Sequence, residues 1–229
     1  MGLSLEEGLR RLAEEPDVAA LVNPRLDEIE SLLTRYINEI ELFNPAYGLV
    51  AVKSREELVS RHILDSLAPL GIIAGLLEET GRTLEAGGSR TPQIADLGSG
   101  AGLPGIPLAI ALPGARFTLI ERMGRRAGFL RNSIAVLALD NVEVEETEME
   151  RAGPGRFDLA CFRAFRPLEA PLLKAMFRLL APGGVLAAYK GRRKAVEAEI
   201  NAAWAGPWDC RPCPVPGLDE ERHLLTLRG

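Results

Sequence analysis

The sequence predicts an α/β fold in which helices cover both faces of a mostly parallel sheet, preceded by a helical extension. Three observations support this prediction. The first eighty residues or so have helical patterns, the remainder alternates between short apolar strands and helices, and the first strand runs into a glycine-rich loop. Repeated strand–helix alternation implies parallel strands joined by helical crossovers.

The helical extension is assigned to residues 1–90. Asn23 and Pro24 predict the start of a helix, and Asn44-Pro45 predicts its end, because proline breaks a helix interior. A second helical segment is predicted from about Ser54, with apolar residues at helical spacing on its inward face. Those residues are Leu58, Ile63, Leu64 and Leu67. Glycine and proline in residues 87–92 predict the linker that follows.

The second domain is assigned to residues 91–229, and its elements alternate in a regular order. The predicted strands are Ile94–Leu97, Arg116–Ile120, Val142–Glu145, Phe157–Phe162, Val185–Tyr189 and a final pair ending in Leu224–Leu227. The predicted helices are Pro107–Leu112, Arg122–Leu139, Leu168–Leu180 and Lys194–Trp204. Turn residues, among them Pro113-Gly114 and Asp140-Asn141, separate these segments.

Composition limits the classes of function. The chain has 229 residues and a formal net charge of −5, so contact with nucleic acid would need a local basic patch. No apolar run approaches the length of a membrane span, and acidic residues follow closely after Met1, unlike a signal peptide. We therefore expect a cytoplasmic protein with no membrane contact. We also expect a monomer.

Cysteine usage indicates neither a disulfide framework nor a metal site. The chain has three cysteines, which are Cys161, Cys210 and Cys213. The last two have the spacing of half a zinc site, but no second pair or nearby histidine completes it. We interpret them as two thiols in a turn near the C-terminus and expect no metal.

The glycine-rich loop is compatible with a dinucleotide site. Residues 100–105 fit the pattern G-x-G-x-x-G, and Glu121 lies about 20 residues further on, where a ribose-binding acid belongs. Glycines allow a ligand to approach the backbone closely. An NAD(P)-dependent oxidoreductase that uses Gly100, Gly102 and Gly105 is therefore one hypothesis.

Two details favour a different cofactor. Asp96 comes directly before the glycine run, which begins early at Gly98, and Pro104 and Pro107 stiffen a turn that dinucleotide folds keep free for pyrophosphate. An acid before the loop and a second acid after the next strand are similar to the Rossmann-like class I S-adenosylmethionine-dependent methyltransferases. Their cofactor has no phosphate, and its cationic groups tolerate a nearby carboxylate. We expect S-adenosylmethionine, with Asp96, Gly98, Gly100, Gly102 and Glu121 at its site.

Further segments resemble one family within this class. They are Arg61-His62-Ile63-Leu64-Asp65-Ser66-Leu67, the loop from Gly98 to Leu108, Arg125-Arg126 with Phe129-Leu130-Arg131, Arg163-Ala164-Phe165, Tyr189-Lys190-Gly191 and Glu221-Arg222-His223-Leu224. Together they resemble the bacterial 16S rRNA (guanine-N7) methyltransferase family, RsmG or GidB. The resemblance runs from about Asn44 to the C-terminus and implies methyl transfer to N7 of a guanine in 16S ribosomal RNA.

The resemblance also implies further cofactor residues. Gly98 and Leu103 match the family's loop contacts, Met149 and Glu150 match the pair beside the adenine, and Arg163 matches the arginine after the fourth strand. That arginine is expected to serve either the carboxylate of the cofactor or the target base. The chain departs from the family where Gly48-Leu49-Val50 stands in place of Asn-Leu-Thr.

The chemistry of the implied target requires no general base. Guanine N7 is an unprotonated lone pair near neutral pH, so the enzyme needs only to position the two reactants and exclude water. We accordingly assign no catalytic residue. His62 and His223 are expected to be packing or hydrogen-bonding residues, and Asp65 is expected either to cap a helix or to pair with Arg61 one helical turn away.

Two basic clusters at the expected ligand edge predict phosphate contacts with RNA. One follows Glu121 on the next helix, and the other follows the fifth strand. The RNA contacts expected within them are Arg125, Arg126, Arg131, Lys190 and Arg193. The predicted partner is 16S ribosomal RNA or the small ribosomal subunit. A protein or small-molecule substrate, and a non-catalytic ribosome-assembly factor on the same fold, are the remaining hypotheses.

Overall fold

The computed structural model describes residues 3–80, 91–163 and 167–229. The α-helices are α1 (Leu5–Leu12), α2 (Pro16–Val22), α3 (Leu26–Tyr47), α4 (Arg55–Leu58), α5 (Asp65–Leu67), α6 (Leu70–Glu79), α7 (Gly105–Ala111), α8 (Gly124–Leu137), α9 (Ala170–Leu179) and α10 (Arg193–Ala203). Short 3₁₀ segments cover Asn23–Arg25 and Met149–Arg151, and a π-helical segment, Val59–Leu64, joins α4 to α5. Within the described ranges, no helix has both the length and the apolar character needed to cross a bilayer.

Seven strands of the described chain form one sheet with the order β3-β2-β1-β4-β5-β7-β6. The strands are β1 (Gln93–Leu97), β2 (Arg116–Ile120), β3 (Val142–Glu145), β4 (Phe157–Arg163), β5 (Leu180–Lys190), β6 (Trp208–Pro212) and β7 (His223–Arg228). Strands β1 to β5 run parallel, whereas β7 pairs antiparallel with β5 and β6. Strand order reverses between β1 and β4, and ligands of open α/β sheets bind at the carboxyl ends of strands beside such a point.

The predicted mostly parallel α/β sheet is confirmed, and the predicted bounds of β2 and β3 agree with the structure. Two predicted boundaries are wrong by more than two residues. Helix α3 continues through Pro45 and ends at Tyr47, where Gly48 is the C-cap with a φ of 59°. Asn44 stabilises this last turn, because its side-chain amide bonds both the N–H and the carbonyl of Val50. Strand β5 begins at Leu180, which pairs with Phe157 ahead of an irregularity in the ladder.

The extension packs against the sheet domain through a shared core. One apolar cluster joins residues of α1 to α6 with α7, α8 and one face of the sheet. A second cluster joins α9 and α10 to the opposite face. The domain boundary predicted at residue 90, and most of the predicted linker, lie outside the described residues. The shared core nevertheless places the extension directly on the domain that carries the glycine loop.

Helix α3 contacts the glycine loop itself. The fully buried Tyr36 donates a hydrogen bond from its hydroxyl to the carbonyl of Ala101, and burial raises the pKa of that hydroxyl well above its usual value. Just before the helix, Arg25 donates to the carbonyl of Ile110 at the end of α7, over 3.2 Å. The extension therefore supports both the loop and the helix that follows it.

Replacing Tyr36 with phenylalanine tests this contact. Tyr36→Phe leaves the ring in place but deprives the buried Ala101 carbonyl of its donor, so the free energy of unfolding should fall by roughly 1–3 kcal/mol. Tyr47→Phe makes the same chemical change at a hydroxyl for which no hydrogen bond is found among the described residues, and should leave stability within about 0.5 kcal/mol of the parent. Urea denaturation measures both. Equal losses for the two variants would contradict a specific contact between Tyr36 and the loop.

Candidate functional site

The glycine loop follows β1 and has the backbone of a ligand cradle. Gly98, Gly100 and Gly102 have φ values of 69°, 58° and 88°, which side chains other than glycine rarely adopt. A Cβ at Gly102 would also come within 2.6 Å of the side chain of Ile106. At Gly100, by contrast, the nearest neighbours of a Cβ lie 3.8 Å and 4.0 Å away, the latter an Arg126 nitrogen. Conformation therefore selects glycine at position 100, and the backbone there stays open to a ligand.

Two buried carboxylates hold this loop. Glu121, just after β2, accepts hydrogen bonds from the N–H of Gly100 at 2.9 Å and from that of Met123 at 2.8 Å. Asp96, in β1, accepts one from the N–H of Gly105 at 3.0 Å. The other carboxylate oxygen of Asp96, Oδ1, is buried and has no hydrogen-bond partner in the described part of the chain. The two acids predicted to mark a cofactor site thus bracket the loop from adjacent strands.

The environment of Asp96 favours its protonated form. Burial raises the pKa of this carboxyl to about 7, against the weaker opposing effects of the Gly105 N–H and the Ser99 side chain. A charged group in an apolar interior loses its hydration, so a buried acid holds its proton to higher pH. Asp96 is therefore poised to change protonation near neutrality.

A cleft of about 590 Å³ opens beside the loop, over the carboxyl ends of β1, β2 and β3. Its volume is typical of small-molecule sites. The lining includes Gly98, Glu121, Met149 and Glu150, which the sequence predicted to bind the cofactor. Two other predicted loop residues, Gly102 and Leu103, lie in the turn, where the Leu103 side chain is buried. The structure therefore brings predicted residues from three strand ends to one cleft.

Arg163, predicted to lie at the cofactor or the target base, points toward the extension. Its guanidinium donates to Asp65 at 2.8 Å and to the Arg61 carbonyl at 3.2 Å, and lies 3.0 Å from Nδ1 of His62. The second oxygen of Asp65 accepts from Arg222 at 3.0 Å. A buried carboxylate thus joins two arginines from the far end of the chain.

The predicted pairing of Asp65 with Arg61 is wrong. Arg61 instead pairs with Glu57 at 3.1 Å and with Glu220 at 2.6 Å. The segment between Arg61 and Asp65 belongs to the π-helical stretch, whose wider turn moves the two side chains off a common face. Asp65 consequently turns inward, where its side chain is only 7% exposed.

A second pocket, of about 380 Å³, lies over the carboxyl ends of β4 and β5. Its polar lining includes Arg61, His62, Asp65, Arg163, Lys190, Arg222 and His223. Burial and then the nearby Arg163 lower the pKa of His62 to about 4, so its imidazole is neutral near pH 7. The two pockets occupy neighbouring parts of the same sheet edge, on either side of the point where strand order reverses.

The predicted RNA-contact residues differ in their present partners. Arg125 lies over the Tyr47 ring at 5.6 Å, and Arg126 lines the cofactor-sized cleft. The other three form ion pairs. These are Arg131 with Glu146, Lys190 with Glu199 and Arg193 with Glu197, each at 2.8 Å. A phosphate contact by any of the three would require an exchange of partners.

Sequence reasoning did not identify Tyr36 or Arg222 as supports of the site. Tyr36 carried no signal, because an aromatic residue on the apolar face of a helix is typical of a core. Arg222 stood in one of the segments that resemble the methyltransferase family, but nothing local indicated its bond to Asp65. The cysteines are buried thiols, and Cys210 lies in β6 instead of a turn.

Comparison with protein families identifies one matching model. The model described as rRNA small subunit methyltransferase G matches residues 29–225. The protein named ribosomal RNA small subunit methyltransferase G in Treponema pallidum (strain Nichols) is 37% identical over 227 residues, covering 97% of this chain and 92% of its own length. The protein of the same name in Stenotrophomonas maltophilia (strain K279a) is 40% identical over 228 residues, covering 99% and 94%.

Solved structures are similar in fold. A protein from Agrobacterium tumefaciens, described as the predicted O-methyltransferase Atu636, has a TM-score of 0.51 and 27% identity, covering 63% of this chain and 77% of its own. A SAM-dependent methyltransferase from Aquifex aeolicus has a TM-score of 0.52 and 18% identity, covering 72% and 91%. These likenesses confirm the Rossmann-like class I fold, and the sequence relatives confirm the family resemblance.

Replacing Asp96 with asparagine tests the burial of its carboxyl. In the folded wild-type protein the group keeps its proton up to about pH 7, whereas the unfolded chain releases it near 3.8. Its contribution to stability is therefore full at low pH and is lost as pH rises to about 7. Asp96→Asn cannot ionise, so its stability relative to the wild type should rise between pH 5 and 8 by a few kcal/mol. Chemical denaturation across this range measures the difference, and a pH-independent difference would contradict the raised pKa.

Proposed function

The chain belongs to the rRNA small subunit methyltransferase G family, and from that premise we propose that it transfers a methyl group from S-adenosylmethionine to N7 of a guanine in 16S ribosomal RNA. The observation that carries this proposal is the pair of pockets on one sheet edge. The cleft over β1 to β3 has the volume and lining of a cofactor site, and the pocket over β4 and β5 lies beside it. We further propose that the protein acts as a monomer in the cytoplasm.

The residues of the larger cleft fit S-adenosylmethionine. Each Glu121 oxygen already accepts one backbone hydrogen bond and has a lone pair left for a ribose hydroxyl. Asp96 is buried and does not line the cleft, but its Oδ1, without a described partner, is the acceptor that we assign to the amino group of the cofactor. Met149 supplies apolar surface for the adenine, beside Glu150. When bound, S-adenosylmethionine supplies an electrophilic methyl group on its sulfonium.

The remaining catalytic task of the chain is to position the target and exclude water. Guanine N7 carries a free lone pair, so no residue has to remove a proton. Two titratable groups of the smaller pocket have arginine partners, since Asp65 bonds two arginines and His62 bonds Arg163. We assign Arg163 to this target side, because it lines the smaller pocket and contacts the extension.

Phosphate contacts would come from the basic residues around this edge. We propose Arg125 and Arg126 as direct contacts, because no ion pair is found for either among the described residues. For Arg131, Lys190 and Arg193, we propose phosphate contacts in which each side chain leaves its glutamate and binds a phosphate of the RNA.

The nicotinamide hypothesis is not favoured. The N–H of Gly100, which a pyrophosphate would need, already donates to the carboxylate of Glu121. A second negative charge beside that carboxylate would be repelled. The sequence relatives are methyltransferases by name, in agreement with this geometry.

Removal of the Glu121 carboxylate tests the cofactor site. Glu121→Ala loses the hydrogen bond from Gly100 of the loop, the one from Met123 and the proposed ribose acceptor, so affinity for S-adenosylhomocysteine should fall roughly 10- to 100-fold. Glu143→Ala removes a carboxylate from the neighbouring strand β3, away from the loop, and should bind as the wild type does. Isothermal titration calorimetry measures both. Unchanged affinity in Glu121→Ala would remove this residue from the ribose site, and tight binding of NAD would revive the oxidoreductase hypothesis.

Methyl transfer to ribosomal particles tests the function itself. The protein should transfer a labelled methyl group from S-adenosylmethionine to 16S RNA in small subunits purified from a strain that lacks the corresponding methyltransferase. Subunits from the parent strain, already methylated, are the matched control and should accept no label. Label in ribosomal protein instead of RNA would favour a protein substrate. Subunit binding without any transfer would favour an assembly factor.

A further inference from the structure

Two histidines line the smaller pocket, and the proposed chemistry uses neither as a base. Nδ1 of His62 lies 3.0 Å from Nη2 of Arg163. A guanidinium has only donors, so Nδ1 must accept this hydrogen bond. The neutral ring therefore carries its proton on Nε2, where it is a hydrogen-bond donor.

His223, at the start of β7, has the opposite tautomer. Its Nδ1 lies 2.7 Å from the carbonyl oxygen of Gly191. A carbonyl only accepts, so Nδ1 must donate, and the neutral ring has its lone pair on Nε2. Among the described residues, neither His62 nor His223 has a hydrogen-bond partner at Nε2.

The surrounding network holds these rings in place. Asp65 fixes Arg163, which in turn fixes the ring of His62, and burial keeps that ring neutral by lowering its pKa to about 4. His223 is opposite Lys190 in the β5–β7 ladder, and both residues line the pocket. One pocket thus offers a donor from the extension and an acceptor from the sheet.

This pair of groups matches one edge of guanine. On its Watson–Crick edge, guanine has an acceptor, O6, at one end and a donor, the N2 amine, at the other. Adenine has a donor, its N6 amine, where guanine has O6, and it has no N2 amine. A site with one donor and one acceptor in the proper order therefore accepts guanine and rejects adenine, because a mismatched buried polar group is left unpaired.

We propose that His62 and His223 recognise the target guanine, with His62 Nε2–H donating to O6 and His223 Nε2 accepting from the N2 amine. This inference rests on the proposed function. Contacts at this edge leave N7 without a protein partner, as attack on a methyl group requires. The two histidines are specificity-determining residues, and neither transfers a proton.

Asparagine variants can delete the proposed contact and keep the anchor. The amide of asparagine reaches the position of Nδ1, so His62→Asn retains an acceptor for Arg163 and His223→Asn retains a donor for Gly191, while both lose the atom at Nε2. Glutamine reaches the position of Nε2, so His62→Gln should recover part of the lost activity. Lys174→Gln, an exposed change on α9, serves as an unrelated control.

The test combines these variants with altered target bases in reconstituted small subunits. On guanine, each asparagine variant should lower kcat/KM roughly 10-fold, with the affinity for S-adenosylhomocysteine unchanged by calorimetry. With 2-aminopurine, which lacks O6, His62→Asn and wild type should agree within about twofold. With inosine, which lacks the N2 amine, the same should hold for His223→Asn. His62→Asn with inosine, and His223→Asn with 2-aminopurine, each lose both contacts, so their two reductions in kcat/KM should multiply.

Two results would overturn the inference. One is a fall in kcat/KM as large as that on guanine when His62→Asn acts on 2-aminopurine or His223→Asn acts on inosine. Such a fall would indicate a general structural effect. The other is wild-type activity of both asparagine variants on guanine. Absence of transfer by the wild type itself is a separate outcome, because it would refute the proposed function and with it this inference.

Discussion

The site depends on one buried carboxylate, that of Asp65, held between Arg163 and Arg222. Removing one partner from a buried ion pair leaves an uncompensated charge and lowers the free energy of unfolding by roughly 3–5 kcal/mol. Through these two ion pairs, Asp65 joins the end of the π-helical segment to the end of β4 and to the chain just before β7. It also places an arginine on each oxygen of the carboxylate that lines the target pocket. A substrate with an unprotonated lone pair, such as guanine N7, needs no proton removed there.

The cofactor side is organised by the same means. Carboxylates from the ends of β1 and β2 bond opposite ends of the glycine loop, and the Tyr36 hydroxyl bonds its middle from the extension. Catalysis by positioning requires that reacting groups be held in fixed relation. Helix α3 supports the loop, and Asp65 and His62 support the target pocket. The extension is therefore a structural part of both halves of the site.

The features that the sequence predicted well are local in the chain. The strand bounds of β2 and β3, the glycine loop and the two flanking acids all follow from short-range patterns. The partners of Asp65 could not be predicted, since they lie 98 and 157 residues away and only the folded sheet brings them together. The prediction that Asp65 pairs with Arg61 assumed a regular α-helical turn. The chain instead forms a π-helical segment there. Lys190 gave a basic signal in sequence, but its pairing with Glu199 depends on how α10 packs beside β5.

Methyl transfer at this site without removal of a proton requires an unprotonated nitrogen as the acceptor. The most direct measurement is the position of the methyl group in 16S RNA after reaction in vitro, found by borohydride reduction, aniline cleavage and primer extension. We expect a new cleavage at a single guanine, because a guanine becomes sensitive to this treatment when it is methylated at N7. A labelled RNA that resists cleavage, with the methyl group on an exocyclic amine or a ribose hydroxyl, would contradict it.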